Sequence, residues 1–362
     1  MAPTERLVAA GFTGKVVAGR YKLERMLGAG AVGEVWLGEH LLMRKRYALK
    51  LLDARIATPE IVTRFEREAV AAANVVHPSV AAGTDFGRDE DGSFFLVLEY
   101  VEGRSLRALI KEGPIPPARA LHITRQILGA AGAGHQKGVV HRDLKPENVM
   151  LSERDRDPRA LIVAKDKAKD VVKVLDFGIA KVDPKTLGTR PSIPPPPGSN
   201  LTRAGSVYGT PIYMSPEQAL GESVDARADL YAIGVILYEL VAGKPPFDGE
   251  PLEVIAHQVN EDAPPLSSRA SQPVAAELDA FVAALLTRKR EDRVADVAAA
   301  LLLLDDAERA VARPLATPVD LAAPSAAVPT TKKRKRWWVL LGVGLTLLLL
   351  VPTLLLATRT EA

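Results

Sequence analysis

Up to Tyr100 the apolar residues come in short runs of strand character: Tyr21–Leu27, Glu34–Gly38, Tyr47–Leu51 and Phe94–Tyr100. One helix-forming stretch, Phe65–Val75, interrupts them and is closed by His77-Pro78. Beyond Tyr100 the period changes. Leu121, Ile123, Ile127, Leu128 and Ala131 recur at helical spacing within Ala118–Gly134. Val172–Leu175 reads as a strand and Ala283–Leu304 as two closing helices. Asp225–Val241 is apolar nearly all round, the mark of a buried core helix or a membrane span; Asp229 and Glu239 interrupt it, so a buried helix is predicted. Arg313–Thr331 has no period and is rich in Pro, Ala and Thr, the composition of a tether. Lys332–Arg336 are five consecutive cations, followed by Trp337-Trp338 and an almost wholly apolar run, Val339–Ala357. As a helix, Trp337–Ala357 would reach ~31 Å, the thickness of the hydrocarbon core. The basic run and paired tryptophans act as interface anchors, and the positive-inside rule places that end in the cytoplasm.

The totals narrow the classes. The chain has 362 residues, enough for two or three domains, and 47% hydrophobic against 25% charged residues allows a large core. The net charge of +3 is local to the basic run: without Lys332–Arg336 and the Arg359/Glu361 pair, 41 basic residues face 43 acidic ones, a net of −2. A nucleic-acid footprint is thereby excluded from the globular part. With no cysteine, disulfide and thiolate chemistry are excluded as well. Met1–Arg20 holds no apolar run of signal-peptide length.

Three segments carry candidate chemistry. His141–Asn148, His-Arg-Asp-Leu-Lys-Pro-Glu-Asn, places an acid, basic residues and an amide in one short loop. Asp143 can orient a hydroxyl and accept its proton, Lys145 can neutralise a phosphoryl group in transit, and Asn148 can offer an oxygen to a hard cation. Gly28-Ala29-Gly30-Ala31-Val32-Gly33 follows a strand, and its glycines let backbone N–H groups approach phosphate oxygens. Dinucleotide-binding folds also use G-x-G-x-x-G, but there it opens a helix; here Gly33 leads into a second strand-like run. Lys50 sits inside an apolar strand, where a cation is costly without an anionic partner. Asp176-Phe177-Gly178 follows the strand Val172–Leu175.

Together, and in this order, these segments resemble the motifs of bacterial, membrane-anchored, eukaryotic-type serine/threonine protein kinases. The resemblance covers residues 19–312. It implies an α+β, two-lobed fold with a small β-rich N-lobe (19–101) and a larger helical C-lobe (102–312), to which the apolar run read above adds one C-terminal transmembrane helix. By the same resemblance, Leu27, Gly28, Ala29, Gly30, Gly33 and Val35 cover ATP. Lys50 holds its α and β phosphates and is positioned by Glu68, with Glu66 as the rival. Leu98 is the gatekeeper, Glu99–Val101 the hinge whose backbone bonds the base, and Val35, Ala48 and Met150 the adenine walls. Asp143 is the catalytic acid of the loop, aided by Lys145 and by Thr210. A carboxylate is too weak a base to deprotonate serine outright, so Asp143 is expected to orient the hydroxyl and accept its proton late. Asn148 and Asp176 are the ligands of Mg²⁺, with Mn²⁺ as the alternative cation. Asp229 anchors the catalytic loop, and Glu217 pairs with Arg293. Arg142 receives a phosphate carried by the activation segment, on Thr202 first and Ser206 second.

Two stretches depart from the family pattern: a charge-dense addition around Glu153–Asp170, read as a lengthened β-hairpin, and a long activation segment containing Pro194–Pro197. Ser215 stands where the family has alanine. Ala72, four residues after Glu68, is small for its place, so the helix carrying Glu68 is expected to dock loosely.

The resulting organisation is an N-terminal extension (1–18), a kinase domain (19–312), a linker with the basic run (313–336), a transmembrane helix (337–357) and a short extracytoplasmic tail (358–362) with no folded sensor. The expected activity is transfer of the ATP γ-phosphoryl group to Ser/Thr hydroxyls of proteins, including its own activation segment, from a single-pass protein of the inner membrane with a cytoplasmic kinase domain. A kinase–kinase dimer is expected for autophosphorylation. The alternatives are a pseudokinase-type nucleotide-binding scaffold and a small-molecule phosphotransferase. Loss of Lys50, Asp143 or Asp176 would favour the scaffold, and all three are present.

Overall fold

The structure, a computed structural model, describes residues 12–30, 33–152, 170–177 and 211–313. Strands β1 (Val16–Val17), β2 (Tyr21–Gly30), β3 (Gly33–His40), β4 (Arg46–Leu52), β5 (Gly83–Arg88) and β6 (Phe94–Glu99) form one antiparallel sheet in the order β1-β2-β3-β4-β6-β5. Helix α1 (Pro59–Asn74) packs against one face of it. The C-lobe begins with β7 (Gly103–Ser105), α2 (Leu106–Ile110) and α3 (Pro117–Gln136). Strands β8 (Val149–Ser152) and β9 (Val171–Val174) join β7 in a small sheet. Helices α4 (Pro216–Ala219), α5 (Arg227–Ala242), α6 (Pro251–Asn260), α7 (Ala276–Leu285) and α8 (Val297–Ala312) follow. This is a two-lobed molecule with a β-rich first lobe and a helical second lobe.

Strand periodicity sorts the N-lobe. Tyr47, Leu49 and Leu51 of β4 face away from α1 into a cluster with Trp36, Phe95 and Val97. Leu52, Phe65, Ala69 and Leu96 build the cluster on the α1 side. Cross-strand register places Val35 opposite Lys50 and Leu37 opposite Ala48; Lys50 and Ala48 in turn lie opposite Leu96 and Leu98. Partners across a ladder share a face, so Val35, Ala48, Lys50 and Leu98 look into the cleft together. A concavity of about 510 Å³ among Phe12, Lys15, Val17, Leu51 and Phe95 lies on the opposite face and is not this cleft.

The N-lobe starts before residue 19. Val16 and Val17 pair with β2, Phe12 meets the Trp36 ring edge-on at 6.0 Å, and Lys15 bridges Asp89 and Asp91. Helix α1 also begins earlier than its apolar period suggests. Thr58 caps it by accepting from Ile61 N–H, and Pro59 occupies the first turn, where its missing N–H costs nothing. Loose docking of α1 is not observed. A Cβ on Gly83 would fall 2.8 Å from the Ala72 Cβ, so the two small residues let helix and strand approach closely. Strand β5, with glycine at both 83 and 87, carries little strand signal; Gly87 leaves room for the Phe95 ring, 2.9 Å from where its Cβ would stand.

The C-lobe core forms around α5, whose residues from Ala228 to Val241 are all buried. It ends at Gly243, in the left-handed conformation (φ 77°) that glycine takes without strain. The closing helices run Ala276–Leu285 and Val297–Ala312 rather than filling Ala283–Leu304. Asp296 caps the second by accepting from Ala299 N–H at 2.8 Å. β8 pairs antiparallel with β9, and Asp170, just before β9, is clamped to α3 by Arg119 at 2.7 Å; the rest of the charge-dense addition, 153–169, lies outside the described residues. Among the described residues no helix is long and apolar enough to cross a membrane; 337–357 lies outside them.

Candidate active site

On the N-lobe side, Lys50 Nζ pairs with Glu68 Oε1, and both side chains are mostly buried. Glu66 is exposed, as its offset around the helix from Glu68 requires. Burial opposes the charge on Lys50, but Asp176, Glu68 and Asp143 outweigh it and hold the lysine above its ordinary pKa. Carboxylates from the C-lobe therefore act on a cation from the N-lobe sheet: the cleft is electrostatically assembled. Burial pushes Glu68 up, Lys50 draws it down and Asp176 adds to the upward push.

The glycines differ in their reasons. At Gly33 (φ 151°) a Cβ would stand 2.0 Å from the Leu51 carbonyl oxygen, so glycine is demanded by the sheet itself. At Gly28 a Cβ would meet nothing within 4 Å, which leaves open space over the cleft. A register shift between Met26 and Gly28 makes Leu27 the bulged residue, and it is exposed. Ala29 is exposed, and Gly30 ends β2.

Val35, Ala48, Leu98 and Met150 are all half-buried apolar residues, as walls of an open cleft would be. Met150 alternates with buried Val149 and Leu151, which turns it out of the core. At the hinge, Glu99 N–H is already used, donating to Ala82 O at 2.8 Å. Its side chain takes Lys173 at 2.9 Å and Ala82 N–H at 3.3 Å. Glu99 thus offers a base only its carbonyl, and its carboxylate ties the lobes together through Lys173, a contact that no motif in the sequence marks. Val101 is buried at the crossing between lobes.

The loop His141–Asn148 is held from below. Asp229, 1% exposed, accepts from His141 N–H at 2.9 Å and Arg142 N–H at 2.8 Å, and lies 2.7 Å from His135 Nε2. Arg142 sits at φ 62°, a left-handed conformation that a non-glycine residue keeps only under constraint. His141 Nε2 reaches Leu175 O at 2.9 Å, and its ring lies 5.0 Å from that of buried Phe177. Above this support, Asp143 is exposed and open to a substrate from solvent. Lys145 Nζ donates to Asp143 Oδ2 at 2.8 Å; Asn148 Nδ2 donates to Asp143 O at 2.9 Å and Oδ2 at 3.3 Å.

With its amide N–H groups turned to Asp143, Asn148 keeps its Oδ1 for another partner. Leu175 N–H donates to Asn148 O at 2.8 Å, which sets Asn148 beside the residue that precedes Asp176. Asp176 stands at φ 43°, a strained position next to the buried Phe177. Two oxygen donors at one edge of a cleft fit a hard, partly hydrated cation such as Mg²⁺, which keeps waters and substrate oxygens in its remaining positions.

Glu217 and Arg293 form a bidentate pair at 2.8 and 3.0 Å with 4% and 0% of their side chains exposed. Arg293 also donates to Thr287 O, Arg227 O and Arg288 O, and its guanidinium covers the Tyr231 ring. Ser215 finds a use that alanine would not have: its hydroxyl donates to Gln218 Oε1, which its backbone N–H also reaches, while Gln218 Nε2 donates to Arg142 O. Arg107 joins Glu147 of the catalytic loop, Glu239 of α5 and the Tyr213 hydroxyl, another junction that sequence spacing does not reveal. Thr202, Ser206 and Thr210 lie outside the described residues.

Comparison with known proteins agrees with this arrangement. The protein kinase domain family matches residues 21–305. Serine/threonine-protein kinase pkn3 of Myxococcus xanthus is 38% identical over 80% of this chain and 50% of its own length. Serine/threonine-protein kinase PknB of Mycobacterium tuberculosis is 36% identical over 76% of this chain and 41% of its own. This chain thus spans half or less of the length of these curated relatives. The crystal structure of the Mycobacterium tuberculosis PknI kinase domain, as a double mutant, superposes with a TM-score of 0.59 at 28% identity, covering 83% of this chain and 98% of that one. The ordered motifs, the two-lobed architecture and a family match over most of the sequence agree, and the chain belongs to the protein kinase family.

Proposed function

We propose that this protein is a membrane-tethered serine/threonine protein kinase that transfers the ATP γ-phosphoryl group to protein hydroxyls, its own activation segment included, in bacterial signal transduction. The observation that carries the reading is the cross-cleft assembly: Lys50, paired with Glu68, feels Asp176 and Asp143 from the other lobe. Phosphoryl transfer needs positioning and charge stabilisation more than covalent chemistry, and these groups supply both. Lys50 holds substrate phosphates while Glu68 fixes its direction. Asp143 orients the attacking hydroxyl and receives its proton as the bond to phosphorus forms. Lys145, 2.8 Å from Asp143, stabilises charge on the transferring group. Mg²⁺ held by Asp176 and Asn148 would neutralise the phosphate oxygens. The residues whose absence would favour a nucleotide-binding scaffold are all present and converge.

Tethering is supported by the sequence of 332–357, a basic run, two tryptophans and an apolar stretch of spanning length. It would raise the encounter rate between copies and favour autophosphorylation in trans. The test is incubation of the full chain, in detergent, with Mg²⁺ and labelled ATP. Label on itself and on a basic acceptor protein is expected, with none in Asp143→Asn. Equal labelling of Asp143→Asn, or no label in either, would refute the kinase reading. A tag after Ala362, accessible to protease only from the outer side, is expected for the topology; cleavage from the cytoplasmic side would refute it.

A further inference from the structure

The turn joining β3 to β4 presents two apolar side chains to solvent: Leu42 is 89% exposed and Met43 59%. The turn is built to do so. Leu42 N–H and Met43 N–H both donate to His40 Nδ1, at 3.3 and 3.2 Å. His40 is buried, edge-on to the Tyr21 ring at 5.1 Å. Arg44 adopts φ 53°, and Leu41 N–H bonds Arg20 O at 2.8 Å, which fixes the neighbouring turn beside the tip. A non-glycine residue in the left-handed region and a buried imidazole thus hold Leu42 and Met43 away from any core.

Cations surround the pair: Arg44, Lys45 and Arg46 follow directly, and Arg20 stands at the adjoining turn. The acids facing them are Glu39, Glu24 and Asp85, at 3.1, 3.5 and 3.0 Å from Arg44, Arg46 and Arg20. All three acids lie back on strands and are less exposed than their partners; Arg44 is 78% exposed against 30% for Glu39. The outermost layer of the tip is therefore positive with an apolar point. A patch two residues wide is far short of the ~800 Å² per partner of a stable protein interface. It suffices for a surface that takes up apolar side chains anywhere and attracts cations, namely an anionic bilayer, when a tether already supplies high local concentration.

We propose that the Leu42–Met43 tip docks the N-lobe on an anionic lipid surface, with Arg20, Arg44, Lys45 and Arg46 at headgroup level. This rests on the tethered reading above. Arg313–Thr331 is short enough that even a fully extended chain of its length reaches no more than ~65 Å, which in the tethered reading confines the lobe to the neighbourhood of the bilayer. Gly33 and the tip are at opposite ends of β3, ~23 Å apart along the strand, so docking leaves the nucleotide cleft open.

The chain has no cysteine, so Leu42→Cys accepts a single environment-sensitive fluorophore. The labelled full chain is reconstituted into phosphatidylcholine vesicles with or without phosphatidylglycerol, with retained autophosphorylation as the check of folding. The expected result is a blue shift, and quenching by nitroxide-bearing lipid, in the anionic vesicles only. Salt should reverse it, and each of Arg44→Gln, Lys45→Gln and Arg46→Gln should lower the docked-to-undocked ratio about fivefold. A label at Leu252→Cys, also exposed and apolar but in the C-lobe, should stay aqueous. An aqueous label at position 42 on chains that float with the vesicles overturns docking and leaves tethering standing. Failure to float overturns tethering, and docking with it. A shift that appears in neutral vesicles and grows with the protein-to-lipid ratio identifies contact between copies, and overturns the lipid assignment.

Discussion

Asp229 is the perturbation that most directly joins fold to chemistry. Its carboxylate takes two backbone N–H groups, from His141 and Arg142, beside His135 Nε2. In Asp229→Ala both donors are left buried without a partner, at about 1–3 kcal/mol each, or about 2–6 kcal/mol in all. In Asp229→Asn the amide oxygen can serve one donor, while the amide N–H₂ confronts the other, so about half of that loss is expected to remain. Activity should suffer with stability, because the same bonds hold Arg142 at φ 62°, one residue before Asp143. Released, Arg142 can relax toward an ordinary conformation, regaining about 1 kcal/mol or more and carrying Asp143 out of place. A loss of about 3 kcal/mol of transition-state positioning corresponds to about a hundredfold in kcat. The KM for ATP should change little, since Ala48, Leu98 and Met150 are not attached to Asp229. The assay is steady-state phosphotransfer by the full chain in detergent, with urea unfolding of the same preparations. Asp229→Asn retaining kcat within about threefold of wild type, at unchanged stability, would refute the claim that this carboxylate sets the loop.

Other consequences can be checked separately. Arg293→Met leaves Glu217 as a buried carboxylate without its partner and should cost about 3–5 kcal/mol in urea unfolding, whereas an exposed pair such as Arg44–Glu39 should cost under about 1 kcal/mol. Gly83→Leu forces a side chain into Ala72, so both stability and the Lys50–Glu68 pairing should weaken, raising the KM for ATP; an unchanged KM would argue against close docking of α1. Gly33→Ala puts a methyl 2.0 Å from Leu51 O and should impair nucleotide binding measured by fluorescent ATP displacement, while Gly28→Ala should be milder. Burial, and then Lys173, depress the pKa of His77, whose Nδ1 accepts Ser79 N–H at 3.0 Å. The neutral ring is the stabilising form: its contribution is complete above the unfolded value of about 6.5 and is lost as pH falls from there through the depressed native pKa. His77→Gln should therefore flatten the acid side of the stability profile, and an unaltered profile would show that His77 has no part in it.

The His77–Ala81 segment also shows how the lobes are coupled. Val174 N–H donates to Ser79 O and Ala81 N–H to Val174 O, so the chain leaving α1 adds to the end of β9, two residues before Asp176. No local pattern marks this: Ser79 and Val80 have neither a turn signature nor a strand period, and their structure exists because β9 is there to pair with.

Short motifs whose letters act locally were legible from order and spacing alone. His141–Asn148 suggests its chemistry locally, because an acid, an amide and basic residues lie within a few positions of one another, whereas Asp176-Phe177 drew its expected role from the resemblance. In β4 the sequence marked only an apolar strand holding one cation; the ladder sets Lys50 and Ala48 on one face and Tyr47, Leu49 and Leu51 on the other. Partners far apart in the chain were reached only through resemblance, as with Lys50–Glu68, Asp229 under His141, and Glu217–Arg293. Those that no motif carries were not reached at all: the Glu99–Lys173 tie, the Arg107 junction, the fit of Gly83 to Ala72, and the addition of Phe12–Val17 to the first lobe. Periodicity records which face of an element is apolar, but it holds no term for what stands opposite. The identity of the opposing residue is settled by the packing of separate elements in three dimensions, where a missing Cβ or a single carboxylate decides how closely they meet.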